Sequence, residues 1–283
     1  MTVIDINSAV TDDAAPNPAA LKVLAQRKHD ARLRIVYGAG FPIILLLIWE
    51  LMTALGFIDI RFFPSPSRIV STFYIILTTP AEATRLITDV MATLQRILLG
   101  LAIGTVSGII AGAAMGLYRP VRYALAPLVY ATFPTPKLAI FPLLIVIFGI
   151  GDASKTALIT LAVFYMTAIN TFSGVMHANP VYQDFSKAFR VPLMTSWFRI
   201  ALPSALPSIM AGFKLGIGQA LIMVVSAEFV SSNNGIGYYI WTSWQILDIA
   251  RMFVGLAVVM SIGGIAVWLS NLLERVLLPW AKR

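Results

Sequence analysis

Charged residues divide this chain into six long apolar intervals. The first runs from Arg34 to about Phe57 and is interrupted only by Glu50. The second lies between Arg96 and Arg119 and carries no charge. The third, Arg122 to Asp152, contains a single charged residue, Lys137. The fourth extends from Lys155 to Asp184, with His177 inside it; the fifth from Arg199 to about Val230, with Lys214 and Glu228 inside it; the sixth from Arg251 to Glu274. Each is close to the roughly 20 residues that a helix needs to cross the hydrocarbon core of a bilayer. Strands of a membrane barrel would alternate apolar and polar positions, whereas these runs are continuous. The pattern therefore predicts about six transmembrane helices and an all-α, polytopic membrane protein.

Composition agrees. Of 283 residues, 58% are hydrophobic and 12% charged, and the mean hydropathy is +0.83. Soluble domains carry roughly 25% charged residues, so water is the wrong solvent for this chain and lipid is the expected one. In lipid every backbone polar group must be paired internally, which a helix does by itself. The absence of Cys excludes a disulfide framework and a thiolate metal site. A net charge of +8 invites a nucleic-acid reading. Its distribution favours the simpler one, that Lys and Arg at the ends of spans orient the protein in its membrane.

Six spans put both termini on one side. The N-terminal segment, the loops after spans two and four, and the C-terminus together hold thirteen Lys and Arg residues, against four (Arg61, Arg68, Arg85 and Lys155) in the opposite loops. Positive charge collects on the cytoplasmic side, so both termini are expected in the cytoplasm. The first 34 residues contain no apolar core of a signal peptide and are expected to be a largely disordered cytoplasmic segment, above all Thr11–Ala20, with the membrane domain over 35–283. Two loops stand out. The outer one, about Ile58–Met91, contains Phe63-Pro64-Ser65-Pro66, and Ser67 is a candidate cap for a short helix. The cytoplasmic one, about 178–203, is longer than a turn between two spans requires.

Candidate functional positions follow from residues that the bilayer should exclude. Gly100, Gly104, Gly108, Gly112 and Gly116 recur every four residues in the second span. They form a face without side chains that admits a neighbouring backbone, here expected within the same bundle. Pro127, Pro134, Pro136 and Pro142 break the third span, and irregular backbone survives at membrane depth only where protein or water covers it. Lys137, beside that break, reads either as a residue of a polar pathway or as a cation reaching for the surface. Glu228 reads either as a gate or pathway residue or as an interfacial carboxylate bonded to loop backbone. Lys214 shares its helix face but lies about four turns away, too far to pair with it. Gly149–Thr156 has the outline of a phosphate-binding loop, but Ser154 stands where Gly must precede Lys155. No ATP site, metal site or catalytic constellation is expected in this chain, which leaves transport rather than catalysis.

The cytoplasmic loop reads Asp184-Phe185-Ser186-Lys187-Ala188-Phe189-Arg190, then nine residues, then Ile200-Ala201-Leu202-Pro203. This resembles the EAA loop of binding-protein-dependent ABC importer permeases, with Asp184 for Glu, Phe185 and Ser186 for the two Ala, and Arg190 for Gly. The residue before Pro192 is biased toward extended backbone, so Pro192 can make the break that Gly makes in the family. Phe63–Pro66, Phe141-Pro142-Leu143, Phe148–Gly151, Ser154-Lys155, Leu206-Pro207, Ala227-Glu228-Phe229 and Gly235-Ile236-Gly237 are similar to motifs of the nitrate, sulfonate, taurine and bicarbonate branch. The resemblance covers roughly residues 35–280. It implies a type I (MetI-like) importer permease bundle in the bacterial inner membrane, surrounded by lipid and paired with a second permease copy, a homodimer. Two cytoplasmic ATPase subunits would hold ATP and Mg, and an extracytoplasmic binding protein would deliver the solute. Residues 184–190 would be the coupling helix, ended by Ile200, Leu202 and Pro203. The cargo would be a small anion such as a sulfonate, nitrate, bicarbonate or aromatic carboxylate. An ATP-independent transporter or channel, and a carrier of heteroaromatic vitamin precursors, are the alternatives.

Overall fold

The computed structural model describes residues 18–177 and 202–281, together with the isolated positions Pro192 and Thr195. The expected coupling helix, Asp184 to Arg190, and Ile200 at the end of its loop lie outside the described residues. By its contacts the chain divides into two units, one ending at Arg68 and the other running from Ile69 onward.

In the first unit, α1 (Pro18–Ala54) is a single helix that continues through Pro42. Half of the segment expected to be unstructured is therefore helical. Glu50, the one charge in the first span, accepts hydrogen bonds from the amide and the hydroxyl of Ser67 at 3.0 and 2.7 Å. Ser67 is thus not the cap of the next helix. That helix, α2 (Pro66–Thr78), begins one residue earlier, and Ser65 Oγ accepts from the amide of Arg68 at 3.3 Å. Pro66 in the first turn costs nothing, because its missing N–H would have had no partner there.

The segment Ile58–Met91, expected as an outer loop, is not a loop over most of its length. After α2, the chain turns at Thr79 into α3 (Pro80–Leu117), which is 38 residues long. Its first turns are too polar to belong to an apolar run, yet they continue the second span as one helix. The third span is a broken one. α4 (Arg119–Thr132) is followed by a 3₁₀ turn over Lys137–Ile140 and then by α5 (Phe141–Phe148), with a bend of 98° between the two arms. This is where the prolines predict the break. The remaining helices are α6 (Asp152–Met176), α7 (Leu202–Val230), α8 (Ile236–Gln245) and α9 (Ile249–Leu277). Among the described residues, five helices are long and apolar enough to span a membrane, and six if the bent pair counts as one span. Leu202 and Pro203, the described part of the expected coupling-loop end, form the first turn of α7.

α6 is the axis of the second unit, held between α3 and α7. Leu158, Ile159, Val163 and Ala168 on α6 are fully buried, as are Ala220 and Val224 on α7. The five glycines of α3 face α6 of the same chain. A methyl group added at Gly104 would lie 2.7 Å from the carbonyl oxygen of Thr160, at Gly108 2.9 Å from that of Phe164, and at Gly112 2.4 Å from that of Ala168. Gly100 and Gly116 meet the side chains of Ile159 and Val175. α7 approaches the opposite face of α6 in the same manner, through Gly212 against Met166 and Asn170. The three helices thus pack backbone to backbone, as small residues allow in a membrane.

Candidate functional site

The glycine face of α3 continues toward the helix N-terminus as a polar one. Asp89, Thr93 and Arg96 precede Gly100 at spacings of four and three that keep them on the same helix face, and all three residues are buried. They meet the short turn between α7 and α8, Ser231 to Gly235. Ser232 Oγ tightens this turn by donating to the carbonyl of Asn234. Gly235 completes it with φ +111°, a conformation that favours glycine. A side chain there would also strike the Glu228 carboxyl, which comes within 2.4 Å of the position a Cβ would take.

The first amides of α8 have no partner within their own helix. Here side chains from α3 and α7 supply the acceptors. Gly235 N donates to Asp89 Oδ1 at 2.7 Å, Ile236 N to Thr93 Oγ1 at 2.8 Å, and Gly237 N to Glu228 Oε2 at 2.7 Å. Two carboxylates thereby sit at a helix N-terminus, where the backbone dipoles favour negative charge. The Thr93 hydroxyl in turn donates a hydrogen bond to Glu228 Oε1 at 2.8 Å.

Arg96 closes the network. Its side chain is 2% exposed, and all three guanidinium nitrogens are engaged. Nη1 donates to Glu228 Oε1 at 2.6 Å and to the carbonyl of Asn234 at 3.1 Å. Nη2 reaches Asn234 Oδ1 at 2.5 Å and Asp152 Oδ1 at 2.6 Å, and Nε donates to the same Asp152 oxygen at 2.8 Å. One guanidinium therefore ties α3 to the end of α7, to the turn before α8 and to the start of α6. The planar fork of arginine suits such a junction, and the point charge of a lysine would not.

Of the two readings of Glu228, this arrangement fits the carboxylate bonded to nearby backbone. As a candidate pathway residue it would need a face on an open channel, but it is fully buried and bonded on both oxygens. The surface it fails to reach belongs to its partners. A cavity of about 570 Å³ opens beside the network, with Arg96, Asp152, Lys155, Tyr238, Trp241 and Gln245 among its lining residues. Lys155, in the segment that superficially matches a phosphate loop, is 3% exposed and donates to the carbonyl of Gly151 at 3.0 Å.

Lys137 occupies a separate place, at the break between α4 and α5. It is half-buried and folds back on the break itself, with Nζ donating to the carbonyl of Phe133. The same ammonium lies 4.9 Å from the ring centre of Phe133 and 4.7 Å from that of Tyr165 on α6. Two aromatic faces and a freed carbonyl replace the water that a cation would otherwise seek. Lys137 and Glu228 thus belong to two different sites. Lys214 on α7 is ion-paired with Glu274 on α9.

Arg96, Asp152, Thr93 and Asn234 were not singled out by sequence reasoning, and Lys155 only as part of the Ser154-Lys155 motif. Arg96, Asp152 and Lys155 mark the ends of apolar intervals there, which hides them as ordinary interfacial charges. The available signal was the alignment of Asp89, Thr93 and Arg96 with the glycine stripe: a face packed against another helix cannot carry charges into solvent.

Comparison with known proteins places this architecture. The family model for the inner membrane component of binding-protein-dependent transport systems matches residues 104–279. The taurine transport system permease protein TauC of Escherichia coli is 30% identical, over 91% of this chain and 97% of its own. A permease assigned to aliphatic sulfonates transport, SsuC of Bacillus subtilis, is 29% identical over 90% of this chain and 92% of its own. The formylaminopyrimidine transport permease protein ThiX of Halalkalibacterium halodurans is 28% identical over 86% and 95%. An apolar helix bundle whose motifs, family match and full-length relatives all agree belongs to the binding-protein-dependent ABC transporter inner membrane permeases.

Proposed function

We propose that this chain forms the membrane pathway of an ATP-driven importer for a small acidic solute of the sulfonate type, with both termini in the cytoplasm. The observation that carries the reading is the near full-length similarity to permeases named for taurine and aliphatic sulfonates. ATP and Mg²⁺ would reside on a separate pair of ATPase subunits. The loop over about 178–203 would seat them, through Phe185 and Phe189 on one face of the helix expected at 184–190. A second permease copy would complete the pathway, lipid would cover the outer faces, and an extracytoplasmic binding protein would deliver the solute. The break at Pro134 to Lys137 supports a pathway reading, since non-helical backbone at membrane depth needs protein or water around it.

The test is reconstitution of the permease with its ATPase and binding protein in proteoliposomes. ATP-dependent uptake of a labelled sulfonate is the expected result. Nitrate, bicarbonate, an aromatic carboxylate and a formylaminopyrimidine serve as competitors. Uptake that proceeds at the same rate without ATP would overturn the importer assignment. Competition by the pyrimidine alone would overturn the solute class.

A further inference from the structure

We infer that Lys214 and Glu274 are positioning residues for transport: their ion pair makes α9 a lever between the cytoplasmic loop and the cavity wall. The inference rests on the importer reading above and deepens it.

α9 is the least embedded of the long helices in the second unit. Of its 29 residues, Val254, Gly255 and Ser270 are buried, whereas the 25-residue α6 buries eleven. Met260, Trp268 and Val276 are exposed. An ion pair pins α9 at each end. In its first turn Arg251 pairs with Glu82 on α3 at 2.6 Å, and Asp248 caps the helix by accepting from the Arg251 amide at 3.1 Å. In its last turn Glu274 pairs with Lys214 on α7. Between the pins, Ile262 and Ala266 pack against the cluster that includes Ile217, Ala220 and Val224 of α7.

The two pins lead to different places. Lys214 lies twelve residues, about 18 Å, from Leu202, where α7 follows the loop proposed to seat the ATPase. At the other end, α9 joins α8 through a tight turn, Ile246 to Asp248. Leu247 N donates to the carbonyl of Trp244 and Asp248 N to that of Ser243, each at 2.9 Å. Leu247 takes φ +57°, a conformation that costs a side-chain-bearing residue energy, so the joint is closely specified. α8 in turn carries Tyr238, Trp241, Thr242 and Gln245 on the cavity wall.

The first turn of α8 is bonded to α3 and to Glu228 of α7, so these parts move together. The far end of α8 is held by α9 instead. A shift of α7 at its loop end therefore reaches α9 through Lys214, turns it about the Arg251–Glu82 pair, and moves the end of α8 at the cavity. Opposite charges in a low dielectric hold one particular contact, whereas apolar attraction is non-directional and lets helices slide.

The test uses the permease reconstituted with its ATPase and binding protein in proteoliposomes. The readout is ATP hydrolysed per labelled 2-aminoethanesulfonate taken up. Lys214→Met together with Glu274→Met removes both charges and keeps apolar volume, a replacement that commonly preserves stability. This double variant should melt like the wild type while ATP per solute rises about fivefold, the low end of a coupling between two sites. Lys214→Glu together with Glu274→Lys should restore the wild-type ratio. An unchanged ratio in the first double variant would overturn the proposal, as would a charge swap that folds without restoring it. If the first double variant does not fold, or the solute is not carried, spin labels decide. In this Cys-free chain they are placed at exposed Leu215 and Leu273, beside the pair, and at exposed Ile150 and Gln245, on the cavity. On adding ATP the first separation should hold and the second should change, and any other pattern would overturn the lever. Uptake without ATP in the wild type would refute the importer reading alone.

Discussion

Arg96 on α3 and Glu228 at the end of α7 are 132 residues apart in sequence and 2.6 Å apart in space, both cut off from solvent. Their contact is the centre of the polar network, and its removal should be felt by three helices at once. Breaking a buried pair by deleting one partner typically costs about 3–5 kcal/mol, because the other charge is left uncompensated. Glu228→Ala should therefore lower thermal stability in detergent sharply. Glu228→Gln, which keeps the shape, should fall between the two. Unchanged melting of Glu228→Ala would show that the network is dispensable for stability.

The contact between α3 and α6 should be intolerant of even one methyl group. At Gly112 an added Cβ meets the backbone oxygen of Ala168, which cannot rotate away as a side chain could. Gly112→Ala should cost about 1–3 kcal/mol by overpacking, and Gly108→Leu with Gly112→Leu should abolish folded yield. By contrast Gly218→Ala, which meets nothing within 4 Å on the same bundle, should be neutral in the same melting assay. Equal behaviour of Gly112→Ala and Gly218→Ala would contradict this packing.

Lys137 should separate stability from transport. Its stacking on Phe133 and Tyr165 is worth about 0.5–2 kcal/mol, so Lys137→Ala should melt slightly earlier but still assemble with the ATPase. Under the pathway reading, uptake falls much further than stability does, and Lys137→Arg restores part of it. Uptake with unchanged rate and salt dependence in Lys137→Ala would leave Lys137 as a brace for the helix break only.

The cytoplasmic loop is expected to carry the ATPase. Changing Phe185 and Phe189 together to Ser should leave insertion and yield intact while the ATPase no longer copurifies and uptake stops. A small set of buried aromatic anchors commonly dominates such an interface. Retention of the ATPase with normal coupled uptake would refute the docking assignment.

Topology has its own measurement. The chain has no Cys, so single Cys residues at Lys22 and Lys282 report their side without background. Both should resist an impermeant thiol reagent in intact cells and react after permeabilisation. Labelling of either from outside would reverse the assigned orientation.

Some of this protein was legible from composition and period. The apolar intervals mark the spans because bilayer thickness sets a length that hydropathy alone can meet. The four-residue glycine repeat announces a packed face because helical geometry puts those positions in a row. The prolines locate the break near Phe133 because each removes a donor from the ladder. Before Met91 the short helix expected after Ser67 is present as α2, starting one residue earlier, whereas the start of α3 is hidden in the sequence. α2 and the first turns of α3 mix Thr, Glu, Arg and Asp with apolar residues, and a helix with that mixture gives no continuous apolar run.

Tertiary structure decided what each charge is for. Glu228, Arg96, Asp152 and Lys155 have the same appearance in the sequence, isolated charges at the margins of apolar runs. Only the fold distinguishes a carboxylate saturated by α3 and α8 from one with a spare oxygen on a cavity, and a spent guanidinium from an ammonium with donors to give. The reason is distance along the chain: hydropathy and helical period act over a few turns, whereas Thr93 and Arg96, the side chains that bond Glu228, lie more than a hundred residues away and are brought there by how the helices pack.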